Sequence, residues 1–314
     1  VITANLDADT LARVRLATSP AAEATAWLAL TAGRGQHPVF GDPGAAARAA
    51  LADPDTSLVA AVLPPPRTRA YTPDLLTPKP AGGLPDQLDR VAATPAETVA
   101  DQLASTGRPL PVPVRRAVDD GTFATRAARG LDRFWRAAIA DGWSSLRATM
   151  DADLATRAHT MATRGVGALF GSLHESLTWA GGTLTVDSAW EERFTLHDVE
   201  IVCVPAVLAW PRLAVQLCDP ADAVLGYPAT GVGARPGTPC AVDRLVGATR
   251  AALLRDLGVP RSTSSLAARH RLSSPTVSYH LKVLQRSGLV TAHRDRQFVL
   301  YQRTDAGHAL AQDA

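Results

Sequence analysis

Between Ser274 and Arg286 the chain places hydroxyls, an aromatic ring and two cations at helical spacing. Val277, Leu281 and Leu284 form the apolar stripe of that helix. Pro275, Tyr279, Lys282 and Arg286 point away from it, and Thr276 and Ser278 lie on its shoulders. With Ser274 at its start, this set suits non-covalent recognition: side chains of these types read base edges in a major groove, and cations hold phosphates. A second polar group, His293, Arg294 and Arg296, follows close behind and suits contact with a nucleic-acid backbone or minor groove.

The elements that must position these residues are legible. Ser273 or Ser274 caps the helix, and Pro275 falls in its first turn, where a missing N–H costs nothing. Ser287-Gly288 ends it, with Gly288 suited to the left-handed position after the last turn. A shorter helix precedes it, capped by Ser262 or Thr263, with Leu266 and Ala267 turned inward and Leu272 closing the turn. An earlier helix, Asp243 to Leu257, adds Leu245, Leu253, Leu254 and Leu257 before Gly258 and Pro260 stop it. After Gly288 the period changes. Leu289 to Thr291 and Gln297 to Gln302 read as a β-hairpin, with His293 to Arg296 at its bend. Two helices joined by a short turn and followed by a hairpin describe a winged helix-turn-helix, whose second helix is the reader. Residues 241–314 hold eleven Lys/Arg against five Asp/Glu, a net of +6, in a chain of net +2. The positive charge therefore lies with the reader, as an electrostatic footprint on DNA requires.

Leu272 through Leu284, followed by Ser287-Gly288-Leu289-Val290, resembles the recognition helix of ArsR-type bacterial repressors. The resemblance covers about a quarter of the chain. It implies a homodimeric winged-helix repressor that leaves double-stranded DNA when an effector binds, and His280 matches a family histidine beside the reading face. The thiolate motif of the family's arsenic and cadmium sensors would fall on Thr263-Ser264-Ser265-Leu266-Ala267, which has no cysteine. A second family site uses Asp and His on the last helix. Asp305 and His308 have i, i+3 spacing, but two ligands do not make a metal site.

The 314 residues are enough for two domains. No apolar run approaches a membrane span, and the start of the chain lacks a basic segment followed by an apolar one. Cys203, Cys218 and Cys240 are odd in number and widely spaced, which points to a reducing cytoplasm and against structural disulfides. The first part of the chain reads as a short strand over Leu11–Leu16 and a helix opened by Ser19-Pro20. A second helix follows Asp42-Pro43. The segment Pro64 to Pro85 is rich in Pro and Gly and reads as a loop, either lid or passive. Short helices follow at Pro85–Ala93 and Pro95–Leu103. Pro109, Pro111 and Pro113 break the chain, and a helical stretch runs from Phe123 to about Ser176 with interruptions at Asp141-Gly142 and Gly165. Short strands then follow to Tyr227. Segments from Leu173 to Ala229, including Trp179-Ala180-Gly181-Gly182 and Gly226-Tyr227-Pro228-Ala229, are similar to an uncharacterised domain that precedes ArsR-like winged helices in actinobacterial regulators. The expected fold is α+β: a mixed helical and small-sheet N-terminal domain, residues 1–238, then a winged helix-turn-helix, residues 239–314.

Catalysis has no positive signal. His174-Glu175 begins like a zinc-protease motif, but Thr178 stands where the second His is needed, and Gly231-Val232-Gly233 lacks the strand–helix context of a nucleotide fingerprint. No cofactor is implied. Five of the six tryptophans, Trp135, Trp143, Trp179, Trp190 and Trp210, fall in the second half of the N-terminal domain. For any single one the bland role is to fill core. As a group they point to an aromatic-lined pocket for a small organic effector. The expected function is a sequence-specific transcriptional regulator, a dimeric repressor released by such an effector. The alternatives are a metal-responsive repressor and an enzyme fused to a DNA-binding domain.

Overall fold

The computed structural model describes residues 1–65, 68, 70–188, 191–232, 246–258, 260–295 and 298–312. The side chains at 293–295, 298, 305, 308, 309 and 312 lie outside that description. The chain divides into two compact units, Val1–Gly233 and Ala234–Ala314.

The first unit joins a helical subcore to two small sheets. Its early helices are α1 (Ala8–Ala12), α2 (Pro20–Ala32), α3 (Gly44–Ala50) and α4 (Pro54–Val62). They are followed by α5 (Leu84–Ala92), α6 (Ala96–Ala104), α7 (Val112–Asp119) and α8 (Phe123–Ala138). Ser19 and Asp53 cap α2 and α4 through their side chains. The organising helix is α8. Phe123, Ala127, Leu131, Phe134 and Trp135 recur on one face and are buried against Trp27, Leu28, Val59, Leu76, Val91 and Leu103. Its Arg126, Arg129 and Arg133 instead pair with Asp53 and Asp55 of α4. Gly130 lets the two helices meet, because a Cβ there would overlap the Asp55 carbonyl. The long helical stretch α9 (Trp143–Leu173) is broken at Gly165, whose φ of 82° leaves the helical region.

The first sheet has the order β3 (Leu177–Ala180), β4 (Thr183–Val186), β1 (Ile2–Leu6), β5 (Glu192–Leu196). β1 runs antiparallel to β4 and parallel to β5. The second sheet has the order β2 (Arg15–Leu16), β6 (Val202–Ala206), β8 (Val224–Pro228), β7 (Ala214–Gln216). β6 is parallel to both neighbours and buried along its whole length, as a central parallel strand must be. Leu169, Phe170, Leu184, Ile201, Cys203 and Leu225 lie in the core of these sheets. Burial pushes the Cys203 thiol up to about 12, Cys218 is exposed, and Cys240 lies outside the described residues.

Several expectations change. Leu11–Leu16 is not one strand, since residues 8–12 are helical and only Arg15–Leu16 pair. The prolines at 111 and 113 do not break the chain but open α7, with Pro113 in its first turn. The Pro64–Pro85 segment is tied down where it is described, with Leu75 and Leu76 buried. The Lys79 N–H donates to Asp222 Oδ1 at 2.6 Å. The Lys79 and Pro80 carbonyls accept from Arg90 and Arg15 at 2.9 and 2.7 Å. Among the described residues no helix is long and apolar enough to cross a membrane.

The second unit is built from α10 (Ala248–Asp256), β9 (Arg261–Ser262), α11 (Thr263–His270), α12 (Ser274–Arg286), β10 (Val290–Asp295), β11 (Phe298–Arg303) and α13 (Asp305–Gln312). Its core is Leu253, Leu254, Leu257, Leu266, Val277, Leu281, Leu284, Val290 and Tyr301. Helices followed by an antiparallel hairpin, with β9 on the hairpin's inner edge, form a winged helix-turn-helix. The α+β fold is thus a mixed helical and small-sheet N-terminal region followed by a winged helix.

Candidate nucleic-acid interface

The reader helix α12 starts where its caps put it. Ser273 Oγ accepts the Thr276 N–H at 3.3 Å, and Pro275 follows in the first turn. Val277, Leu281 and Leu284 are buried, so packing on α10 and α11 fixes the rotation of the helix about its axis. That leaves Ser274, Thr276, Tyr279, Lys282 and Arg286 exposed along the opposite face, with Ser278 half-buried on its shoulder. Tyr279 is 65% exposed, a large ring held in solvent on an otherwise polar face. His280 is half-buried, stands edge-on to the Tyr279 ring at 5.5 Å, and turns Nδ1 inward.

The turn between α11 and α12 is tight. Ser262 Oγ caps α11 by accepting the Ser265 N–H at 3.2 Å. Arg271 then adopts left-handed backbone, φ 54° and ψ 40°, and the Leu272 N–H returns to the Ala267 carbonyl at 3.0 Å. A non-glycine residue in that region carries strain. Gly288, φ 70°, turns the chain from α12 into the wing. α13 docks behind it: a Cβ on Gly307 would overlap the Leu289 carbonyl.

An ionic knot holds the first helix of the pair. Asp256, at the end of α10, accepts from Arg269 Nε at 2.6 Å, and its Oδ2 meets His270 Nε2 at 3.2 Å. Its Oδ1 pairs with Arg261 Nε at 3.1 Å, while its backbone carbonyl accepts that N–H at 3.0 Å. The Arg269 hydrogen bond, with the charges of Arg261 and Arg269, holds the Asp256 carboxyl below its usual range. These partners come from three elements and share no sequence periodicity, which is why sequence reading passes over them.

The wing pairs Val290 with Arg303 and His293 with Leu300. It is longer than expected: 293–295 belong to β10 rather than to the bend. His293 and Arg294 thus have a described backbone in the outer half of the hairpin, whereas Arg296 lies outside the described residues.

The described tryptophans do not all pack in one core cluster. Trp135 and Trp143 meet edge-on, 4.7 Å between centroids, against the helical subcore. Trp179 packs on Phe170 at 5.4 Å beside the sheets. Trp210 lies 6.4 Å from the His37 ring. Trp190 lies outside the described residues. Among the described residues no three His, Cys, Asp or Glu side chains converge as metal ligands.

Residues 248–293 match the model of a helix-turn-helix domain, the stretch that carries this face. Residues 113–233 match a family of unknown function, DUF5937. No curated protein matches the chain. Three solved structures of substituted Lactococcus lactis ZitR are similar to it. One, in apo form, is 24% identical over 22% of this chain and 56% of that one, with a TM-score of 0.21. The other two are 25% and 26% identical, each over 21% of this chain and 47% of theirs, with TM-scores of 0.20. The chain thus spans about half of the ZitR chains it matches. The C-terminal unit is a winged helix-turn-helix domain, consistent with a DNA-binding regulatory protein.

Proposed function

We propose that this chain is a sequence-specific transcriptional regulator that binds double-stranded DNA as a homodimer, represses, and is released by an effector. The observation that carries the reading is the α12 face: hydroxyls at its capped start, an exposed tyrosine, and Lys282 and Arg286 toward its end. Ser274, Thr276, Ser278 and Tyr279 are the candidates for base edges. Lys282 and Arg286, with His293, Arg294 and Arg296 of the wing, are the candidates for phosphates. Release follows linkage: an effector that binds the DNA-incompetent arrangement better draws the dimer toward it.

Two classes of effector compete. A small organic molecule is suggested by the tryptophans, of which Trp179 packs with the sheets apart from the Trp135–Trp143 pair. A metal ion follows from the ArsR-type resemblance and now stands ahead. Among the described residues no three potential ligands converge; the pair Asp305 and His308, at i, i+3 spacing, has side chains outside that description and is the candidate for part of such a site.

The test is binding of purified full-length chain to genomic fragments, its own promoter included, at several salt concentrations. A specific interaction that weakens steeply with salt is expected, because each neutralised phosphate releases counterions. Weak binding of equal strength on all fragments, with and without added divalent metal, overturns the reading. Release by metal but not by organic ligands, or the reverse, decides between the effectors.

A further inference from the structure

Glu23 lies on α2 of the first unit and is 2% exposed. Its Oε1 accepts the Val207 N–H at 2.8 Å and its Oε2 accepts the Leu208 N–H at 2.6 Å. Among the described residues no cation pairs with it. The same peptide is held from its other side, since His37 Nε2 meets the Val207 carbonyl at 3.1 Å. His37 Nδ1 accepts the Val39 and Phe40 N–H groups at 3.1 Å, which places the ring proton on Nε2 and keeps the imidazole neutral. Trp27, one turn along α2 from Glu23, and Trp210 flank the His37 ring at 5.9 and 6.4 Å. A carboxylate and an imidazole thus grip the chain as it leaves β6.

A buried carboxylate without a counter-charge is costly when ionised. On the elements packed against α2, Asp74 of the 3-10 turn Asp74–Leu76 is itself pushed up to about 6 by burial and by nearby Asp222 and Asp219. Only the Glu23→Gln comparison therefore assigns a pH effect to Glu23. The helices' charged groups have partners of their own. Arg48 of α3 pairs with Asp42, Asp55 of α4 with Arg126 and Arg129 of α8, and Arg90 of α5 with Asp222. Asp86 of α5 caps its own helix at Gly83. Arg133 of α8 pairs with Asp53, and Arg136 with Asp132. The other titratable side chain that holds the Val207 peptide is His37, and burial keeps it below its usual range.

We infer that Glu23 is a proton-operated latch: protonated, it holds residues 207–210 against α2, and ionised, it favours release of that segment to water. Burial pushes its carboxyl up to about 7 against the two amide hydrogen bonds, which act the other way. A group that binds its proton more tightly in the closed arrangement than in the open one must favour opening as pH rises. With about 7 closed and the ordinary 4.5 open, the open population rises about tenfold between pH 6 and 8. The latch does not depend on the DNA-binding reading.

The test is hydrogen exchange at the Val207 and Leu208 amides of the full chain from pH 5.5 to 8.5, corrected for intrinsic base catalysis, with tryptophan emission alongside. In the wild type, protection should fall about tenfold from pH 6 to 8. In Glu23→Gln the fall should vanish. Flat protection in the wild type, or the same fall in Glu23→Gln, overturns the latch. If Glu23→Gln does not fold, carboxyl titration of the wild type by NMR decides. One glutamate titrating near neutral is expected, and all glutamates titrating below pH 5.5 overturns the proposal.

Discussion

At the scale of residues, the α12 face separates two jobs that different substitutions pull apart. Lys282→Ala and Arg286→Ala should each weaken binding to every fragment and lower the slope of log affinity against log salt by about 1. Tyr279→Ala should change which sequences are preferred, while stability stays within about 0.5 kcal/mol, because the ring is 65% exposed. Gel-shift titrations and thermal melts read both, and unchanged affinity and preference in all three variants would remove this face from the reading. Asp256 makes a pH prediction. Its carboxyl is held low in the folded state, so the stability it contributes is present above the ordinary carboxylate range and lost as pH falls through the folded value. Asp256→Asn should therefore flatten the loss of winged-helix stability below about pH 4, as followed by circular dichroism. An unchanged acid limb would mean that the knot is ornamental.

At the scale of elements, the helix-turn-helix is held by backbone conformations that particular residues favour or resist. Arg271 sits in left-handed backbone without being glycine, so Arg271→Gly should raise stability by about 1 kcal/mol in thermal melts. A loss of stability would show that the Arg271 side chain is needed in the turn. Gly307→Ala pushes a methyl into the Leu289 carbonyl and should cost about 2 kcal/mol by separating α13 from the start of the wing. Element signals were readable where they were local. The cap at Ser273, the stripe Val277–Leu281–Leu284 and the stop at Gly288 each depend on neighbours within one helix, and the structure places α12 over Ser274–Arg286. The failures follow the same logic. Pro111 and Pro113 read as breakers because a proline that ends one element and one that opens another look alike until the next residues pack.

At the scale of the whole molecule, charge is divided: +6 over residues 241–314 and −4 over residues 1–240. Reader helices of a two-fold dimer would enter successive major grooves about one helical turn apart. Inserting about five base pairs between half-sites should abolish binding, and inserting about ten should restore part of it. Insensitivity to the spacer would argue for a monomer. The sequence by itself determined the reader: its caps, its buried stripe, its cationic face and the hairpin after it, because these are set by period and turn chemistry over tens of residues. Only tertiary structure decided the first unit. Ile2–Leu6 becomes a central strand because Thr183–Val186 and Glu192–Leu196, far along the chain, flank it. The five tryptophans read as one group in the sequence, but Trp179 packs with the sheets and Trp135 with the helical subcore. Glu23 reads as an ordinary helical carboxylate among alanines. Its burial and its two amide partners come from a segment more than 180 residues away, and no local period carries that information.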